Sequence, residues 1–135
     1  MISDMFDKIY GELEKCLYSL EMDVEVNTEL KGDSYPQVVV DEIRNDTDTR
    51  TTEGYEGTDV FAISVDIYCN EKEVENTIYS GRTVARYIMK HIDYICCAKY
   101  RLNRKMTVAP NVDDSIYRIN LRYTGKISTR RNVII

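Results

Sequence analysis

The sequence lacks most of the residue patterns that mark catalytic or membrane proteins. Its 135 residues include no tryptophan, one histidine, two prolines and six glycines. So little proline and glycine, beside 43% hydrophobic and 30% charged residues, excludes a disordered, collagen-like or low-complexity chain. No apolar run is long enough to predict a transmembrane helix. A chain of this length is expected to form a single domain over 1–135.

The amino terminus and the cysteines predict a protein of the reducing cytosol with no membrane partner. Residues 1–7 carry acids where a secretion signal would have a basic start and an apolar stretch. Cys96 and Cys97 are adjacent and cannot easily bridge each other, and no cysteine pair has the two-residue spacing of a zinc site. With Cys16 and Cys69, they are expected to be unpaired and mostly buried thiols.

The charge is divided unevenly along the chain. The net charge is −5, yet the segment 99–135 has nine Lys and Arg against two Asp, and the first 98 residues have 21 acids against nine bases. An overall pI near 4.9 argues against a dedicated duplex-DNA binder. An acidic body with a basic carboxy-terminal third instead favours contacts between proteins.

Apolar spacings of three and four residues predict two amphipathic helices. The first covers 2–20, with Ser3 as its capping residue, and the second covers 71–94. Asn70 and Glu73 have the spacing of a capping box at the start of the second helix. That helix also has a small-residue section, which another backbone can approach, at Gly81 and Ala85.

Alternation of apolar and polar residues predicts five strands, at 24–26, 38–43, 61–69, 100–108 and 117–124. Residues 44–57 contain no aliphatic side chain, so we expect them to form a polar loop that projects into solvent. The order is then α-β-β-loop-β-α-β-β. It predicts a two-layer α+β fold whose antiparallel or mixed sheet has both helices on one face.

The other face of that sheet is expected to be partly polar and open to water or to a partner. It would carry Ser64, Asp66, Tyr68, Arg118, Asn120 and Arg122.

The sequence predicts no enzyme, and no catalytic, cofactor-binding or metal-ligating residue. His91 lies beside the apolar stripe of the second helix with no catalytic helper near it in sequence, and no phosphate loop or nucleophile elbow occurs. The acid clusters, at 41–42, 46–48 and 113–114, lack the spacing of a calcium loop.

The polar loop and the basic carboxy-terminal segment supply the candidate interface residues. They are Arg44, Arg50, Glu53, Tyr55, Glu56, Arg118, Arg122, Lys126, Arg130 and Arg131. The basic members suit protein contact or a solvated face more often than nucleic acid. The eleven tyrosines fit a binding surface and a core equally well.

Several segments together resemble the tail terminator family of long-tailed bacteriophages, also called tail completion or head-tail joining proteins. They are the opening helix, the strand entry Tyr-Pro-Gln-Val-Val-Val-Asp-Glu-Ile at 35–43, the strand-to-helix segment 63–70 and the final strand 116–125. The resemblance covers roughly 24–126.

The resemblance implies a hexameric ring of identical α+β subunits that caps the completed tail tube and joins it to the head or neck. The partners would be other copies of the chain, the tail tube protein and a head or neck connector, with DNA only in transit through the lumen. The protein would be assembled in the host cytoplasm, would end in the virion tail, and would need no cofactor. Residues 128–135 match nothing in the family and are expected to form a tail that extends to a neighbour.

Two other functions stay open from sequence. Another phage neck or connector component would share the ring and differ in its partner, which genome neighbourhood would distinguish. A small nucleic-acid-binding module would use the basic strand face and the tyrosines, and salt-dependent DNA binding would test it.

Overall fold

A computed structural model describes residues 4–50, 57–108, 115–128 and 133–135, and it confirms the predicted α+β fold. The helices are α1 (Met5–Tyr18) and α2 (Gly81–Asp93), and a π-helix (Tyr94–Lys99) follows α2 directly. The strands are β1 (Glu25–Asn27), β2 (Gln37–Arg50), β3 (Gly57–Cys69), β4 (Lys72–Val74), β5 (Thr77–Tyr79), β6 (Asn103–Val108), β7 (Tyr117–Ser128) and β8 (Val133–Ile134).

The main sheet is mixed, in the order β1-β2-β3-β7-β6. β1 is parallel to β2, and the other neighbours are antiparallel. β3 pairs with β7 along one edge over its full length. On the other edge of β7, β6 pairs with residues 119–124 and β8 pairs with residues 127–128. β4 and β5 form a separate hairpin.

One hydrophobic core lies between the helices and one face of this sheet. α1 and α2 each bury one stripe, and β3 and β7 bury every second residue, as the alternation predicted. Each aliphatic side chain removed from water contributes about 1.5–3 kcal/mol. The fully buried residues include Ile9, Leu13, Ile88, Ile92, Ile63, Val65, Ile119, Leu121 and Tyr123.

The start of α1 differs from the prediction by one residue. Asp4 rather than Ser3 is the capping residue, and Ser3 lies outside the described residues. The Asp7 amide donates to Asp4 Oδ1 at 2.9 Å, and the Asp4 amide donates to Asp7 Oδ2 at 3.2 Å. Two carboxylates here also suit the positive end of the helix dipole.

The second helix was predicted to begin about ten residues too early. Residues 72–79 form the β4–β5 hairpin, so Asn70 and Glu73 form no capping box, and Ser80 caps α2 by accepting from the Thr83 amide. Glu75 and Asn76 have φ of 50° and 67°, which fits the two-residue turn of a hairpin and excludes an α-helix.

The predicted small-residue section does receive another backbone, at Gly81. A Cβ at this position would lie 2.8 Å from the Cys69 carbonyl oxygen. β3 therefore ends directly against the first turn of α2. At the other end, the helical backbone continues past the predicted limit as the π-helix, and β6 begins at Asn103 rather than at residue 100.

The predicted polar loop at 44–57 is wrong over most of its length. β2 continues to Arg50 and β3 begins at Gly57, with pairs from Asn45–Phe61 out to Arg50–Gly57; residues 51–56 lie outside the described residues. Backbone hydrogen bonds need no apolar side chain, so threonines and charged residues can form a strand where nothing requires burial. We call this extension, β2 and β3 beyond the Asn45–Phe61 pair, the hairpin arm.

The predicted extended tail at 128–135 is also wrong at its end. Val133–Ile134 pairs with Ile127–Ser128, and the Ile135 amide donates to the Lys126 carbonyl at 2.9 Å. Residues 129–132 lie outside the described residues. The carboxy terminus therefore extends the chain's own sheet.

Candidate interaction surfaces

The sheet face that lies away from the helices is polar, as the sequence predicted. The alternate side chains of β3 and β7 there are Ser64, Asp66, Tyr68, Arg118, Asn120 and Arg122. Among the described residues, no helix packs on this face, yet only Arg122 of these six is exposed and Tyr68 is buried.

Arg118 is held by an internal network on this face. Its Nε and Nη2 donate to Asp66 Oδ1 at 3.2 and 3.1 Å, and Asn120 Nδ2 donates to the same oxygen at 3.0 Å. The guanidinium lies over the ring of Tyr68, 5.3 Å from its centroid, and Tyr68 as a whole residue is only 8% exposed. Burial, and then the charge of Asp66, raises the pKa of Tyr68. Arg118 thus has its partners within the chain.

Arg122 is in the opposite situation. It lies directly across from Lys105 in the β6–β7 register, and both side chains are exposed. Within the described ranges, neither makes a hydrogen bond or an ion pair. Like charges opposed across antiparallel strands are destabilising, so an acidic group from outside the chain would relieve both. We call Lys105 and Arg122 the basic pair.

The predicted interface residues fall into three groups. Arg118, Arg122 and Lys126 lie on one face of β7. Arg44 and Arg50 lie on β2 at the base and the end of the hairpin arm, where Arg44 Nε is 2.6 Å from Asp46 Oδ2. The remaining ones, Glu53, Tyr55, Glu56, Arg130 and Arg131, lie outside the described residues.

On the helix layer, the turn after α1, the β4–β5 hairpin and α2 enclose a groove of about 520 Å³. Its floor is apolar, with Met22 and Val84 buried and Leu20 and Val74 half-buried. Its polar lining includes three glutamates, and no lysine, arginine or histidine is found among its described lining residues. We call this the acidic groove; its remaining lining residues are Glu21, Glu73, Glu75, Tyr79, Thr83 and Tyr87.

The exposed tyrosines lie on the same layer. Tyr79 is 40% and Tyr87 is 47% exposed at the groove, and Tyr94 is exposed two turns farther along the helical segment. The Tyr87 ring packs edge-on against His91, with centroids 4.9 Å apart. Exposed tyrosine is enriched in protein interfaces. Tyr123 is instead fully buried in the core, so the tyrosines are divided between the core and the exposed surface.

Tyr123 and Arg104 meet at Asp93, at the end of α2. The Tyr123 hydroxyl donates to Asp93 Oδ1 at 2.7 Å, and Arg104 Nη1 donates to Asp93 Oδ2 at 2.6 Å. Burial raises the pKa of Tyr123, and the hydrogen bond to Asp93 raises it further. This group joins α2, β6 and β7 and leaves Arg104 paired within the chain.

The described residues hold no group of three His, Cys, Asp or Glu that could bind a metal ion, and no helix among them is long and apolar enough to cross a membrane. All four cysteines are unpaired, and Cys69 and Cys96 are buried, as predicted. Burial raises the pKa of Cys69 to about 12. Such a thiol is neutral at physiological pH and a poor nucleophile.

Sequence reasoning missed Lys105 and the acidic groove. The β6–β7 register that places Lys105 opposite Arg122 is a tertiary feature, and the groove depends on a hairpin that was predicted as helix. A signal for the hairpin was present, because the polar pair Glu75-Asn76 separates two short segments that contain β-branched residues. No model of a known protein family matches this chain, and no curated protein matches its sequence significantly.

Proposed function

We propose that the chain is a structural subunit of a bacteriophage tail terminator, which forms a ring that caps the completed tail tube and joins it to the head or neck. The observation that carries the proposal is the presence of two unmatched charged surfaces on opposite layers of one subunit. The basic pair is on the open sheet face, and the acidic groove is on the helix layer.

Surfaces on opposite layers favour head-to-tail contacts. In such a contact, one patch of each copy meets a different patch of the next copy, and a suitable rotation closes the chain of copies into a ring. Electrostatic complementarity between the two patches selects the correct register. The six-membered ring that the family resemblance implies is one such assembly.

The hairpin arm is the candidate contact to the tube or neck. From the Asn45–Phe61 pair to the Arg50–Gly57 pair it extends roughly 13 Å, which is four residues of β3 at the usual rise per residue. Its side chains at 45–47 are exposed. An element of this kind contributes little to the core and is suited to reach a second protein. The ring would be assembled in the host cytoplasm and retained in the virion tail, with DNA passing only through its lumen.

The nucleic-acid alternative is less well supported by the sheet face. A single-strand-binding surface needs accessible aromatic rings on which bases stack. The guanidinium of Arg118 lies over the ring of Tyr68, and this residue is only 8% exposed. The acidic groove would also repel a phosphate backbone.

Tail assembly with and without the purified protein tests the proposal. Negative-stain electron microscopy of tail tubes grown without the protein is expected to show tubes that lengthen past the normal limit. Added protein is expected to form rings, to bind one end of each tube and to stop growth. Tubes that lengthen equally in both samples, with no particle at the ends, would contradict the proposal.

A further inference from the structure

We infer that the acidic groove of one copy receives the basic pair of the next copy, an assignment that rests on the proposed ring. Each surface carries charged side chains that are unmatched among the described residues, and the two surfaces lie on opposite layers of the subunit.

The acidic groove has carboxylates without cations. Within the described part of the chain, the carboxylates of Glu21, Glu73 and Glu75 make no ion pair and no hydrogen bond. Glu75 also occupies a hairpin-turn position at which Asn, Asp or Gly is usual, so the turn alone does not account for a glutamate there. A basic partner would neutralise this group of like charges.

The groove also has the apolar and aromatic surfaces that long basic side chains need. Lys and Arg carry apolar stems, and their charged ends bind to the faces of aromatic rings. The half-exposed rings of Tyr79 and Tyr87 line the groove above the buried Met22 and Val84. The groove can therefore hold both parts of an inserted Arg or Lys.

The occupant is a second copy because the chain itself carries the matching surface. Lys105 and Arg122 lie side by side on the sheet face away from the helices, where both are exposed and unmatched in the described chain. Arg118, on the same face, already binds Asp66 and is not available. The acidic groove and the basic pair lie on opposite layers of the subunit. In a twofold dimer, each groove would have to meet the basic pair of the other copy, and surfaces on opposite layers cannot do this at the same time. Repeated head-to-tail contact can satisfy them all.

Charge reversal on each side, and on both sides together, tests the assignment. The groove variant is Glu73→Lys with Glu75→Lys, the sheet variant is Lys105→Glu with Arg122→Glu, and the combined variant carries all four changes. A matched control, Glu14→Lys with Glu29→Lys, makes the same charge change at exposed positions outside the groove. Native mass spectrometry gives the ring fraction, and thermal melts establish that each variant is folded.

We expect the ring fraction to fall by about tenfold or more in the groove and sheet variants, because each then opposes like charges across the contact. The combined variant restores opposite charges and is expected to recover most of the ring fraction, and the control is expected to keep it. A combined variant that does not recover the ring fraction would overturn the assignment, and so would groove and sheet variants that still form rings. In both cases the wild-type chain would still form rings, and the proposed function would stand. A wild-type chain that forms no ring would instead overturn the proposed function.

Discussion

Lys105 and Arg122 oppose each other on β6 and β7, two cations in one register pair with no acidic neighbour bound to them in the described structure. Four residues away on the same face of β7, beyond Asn120, Arg118 has a carboxylate, an amide neighbour and an aromatic ring beneath it. The contrast separates a cation that serves the fold from cations that are available to a partner. It also changes the choice of variants, because reversing Arg118 would break the sheet's own network.

We expect Lys105→Glu to stabilise the isolated subunit. The substitution converts a like-charge pair into an opposite-charge pair, which is worth about 0.2–1 kcal/mol across two strands. The melting temperature of the monomer, measured in dilute solution, should rise by a few degrees. Lys105→Gln removes the repulsion without adding an attraction and should give a smaller rise. A fall in both variants would mean that Lys105 already has a stabilising partner within the chain.

Two glycine substitutions should have opposite effects on stability. Gly81→Ala would place a Cβ 2.8 Å from the Cys69 carbonyl oxygen, and the resulting backbone shift should cost about 1–3 kcal/mol. Gly11→Ala lies on the exposed side of α1 with no atom within 4 Å of the new Cβ, and should add roughly 0.5–1 kcal/mol. Urea unfolding of the two variants gives the free energies. Equal effects would contradict the close packing of β3 against α2.

Gln37 should be the costliest polar side chain to replace near β2. It is fully buried, its Nε2 donates to the Lys31 carbonyl at 2.8 Å and to the Ser34 carbonyl at 3.2 Å, and its Oε1 accepts from the Lys31 amide at 2.7 Å. Gln37→Met keeps the volume but removes all of these bonds from a buried position, so we expect a loss of about 1–3 kcal/mol in urea unfolding.

A matched control for Gln37→Met is available in the same network. Asn27→Ala removes only the 3.3 Å bond from Asn27 Nδ2 to Gln37 Oε1 and should cost less than about 1 kcal/mol. If the Asn27 variant is the less stable of the two, the amide of Gln37 does not hold the segment before β2 as described.

The buried thiols should be unreactive in the folded protein. With its pKa raised to about 12, the Cys69 thiol is ionised in roughly one molecule in 10⁴ at pH 8. In a variant with Cys16→Ala and Cys97→Ala, labelling of Cys69 and Cys96 should require unfolding by denaturant. Because the folded pKa of Cys69 lies above its ordinary value, its contribution to stability should be complete below about pH 9 and decline towards pH 12. Rapid labelling of the native variant at pH 8 would contradict this burial.

The spacing of apolar residues predicted those elements in which the buried residues recur at a single regular interval, either that of a helix or that of a strand. α1, β3 and β7 were predicted from it, because each buries a single face against the core and polar residues occupy the other face. The β4–β5 hairpin was missed because Val74 and Ile78 are four residues apart, a spacing that also fits a helix. The hairpin arm was missed because backbone pairing with β3, rather than apolar side chains, defines it.

The candidate surfaces were predicted less completely than the fold. Arg118 and Arg122 were selected together from the alternation of β7, yet only the β3–β7 and β6–β7 registers separate their roles. The acidic groove brings three separate segments together, including the turn after α1. Such contacts depend on tertiary packing, which residue spacing along a single chain does not encode.

The mass of the native assembly tests the central claim most directly. Native mass spectrometry of the purified protein at low salt should give a closed assembly of about 94 kDa, six copies of the 15.7 kDa chain. Raising the salt screens charges beyond about 8 Å, so the fraction of this species should fall across a salt series. A 15.7 kDa monomer at every protein and salt concentration would contradict the account.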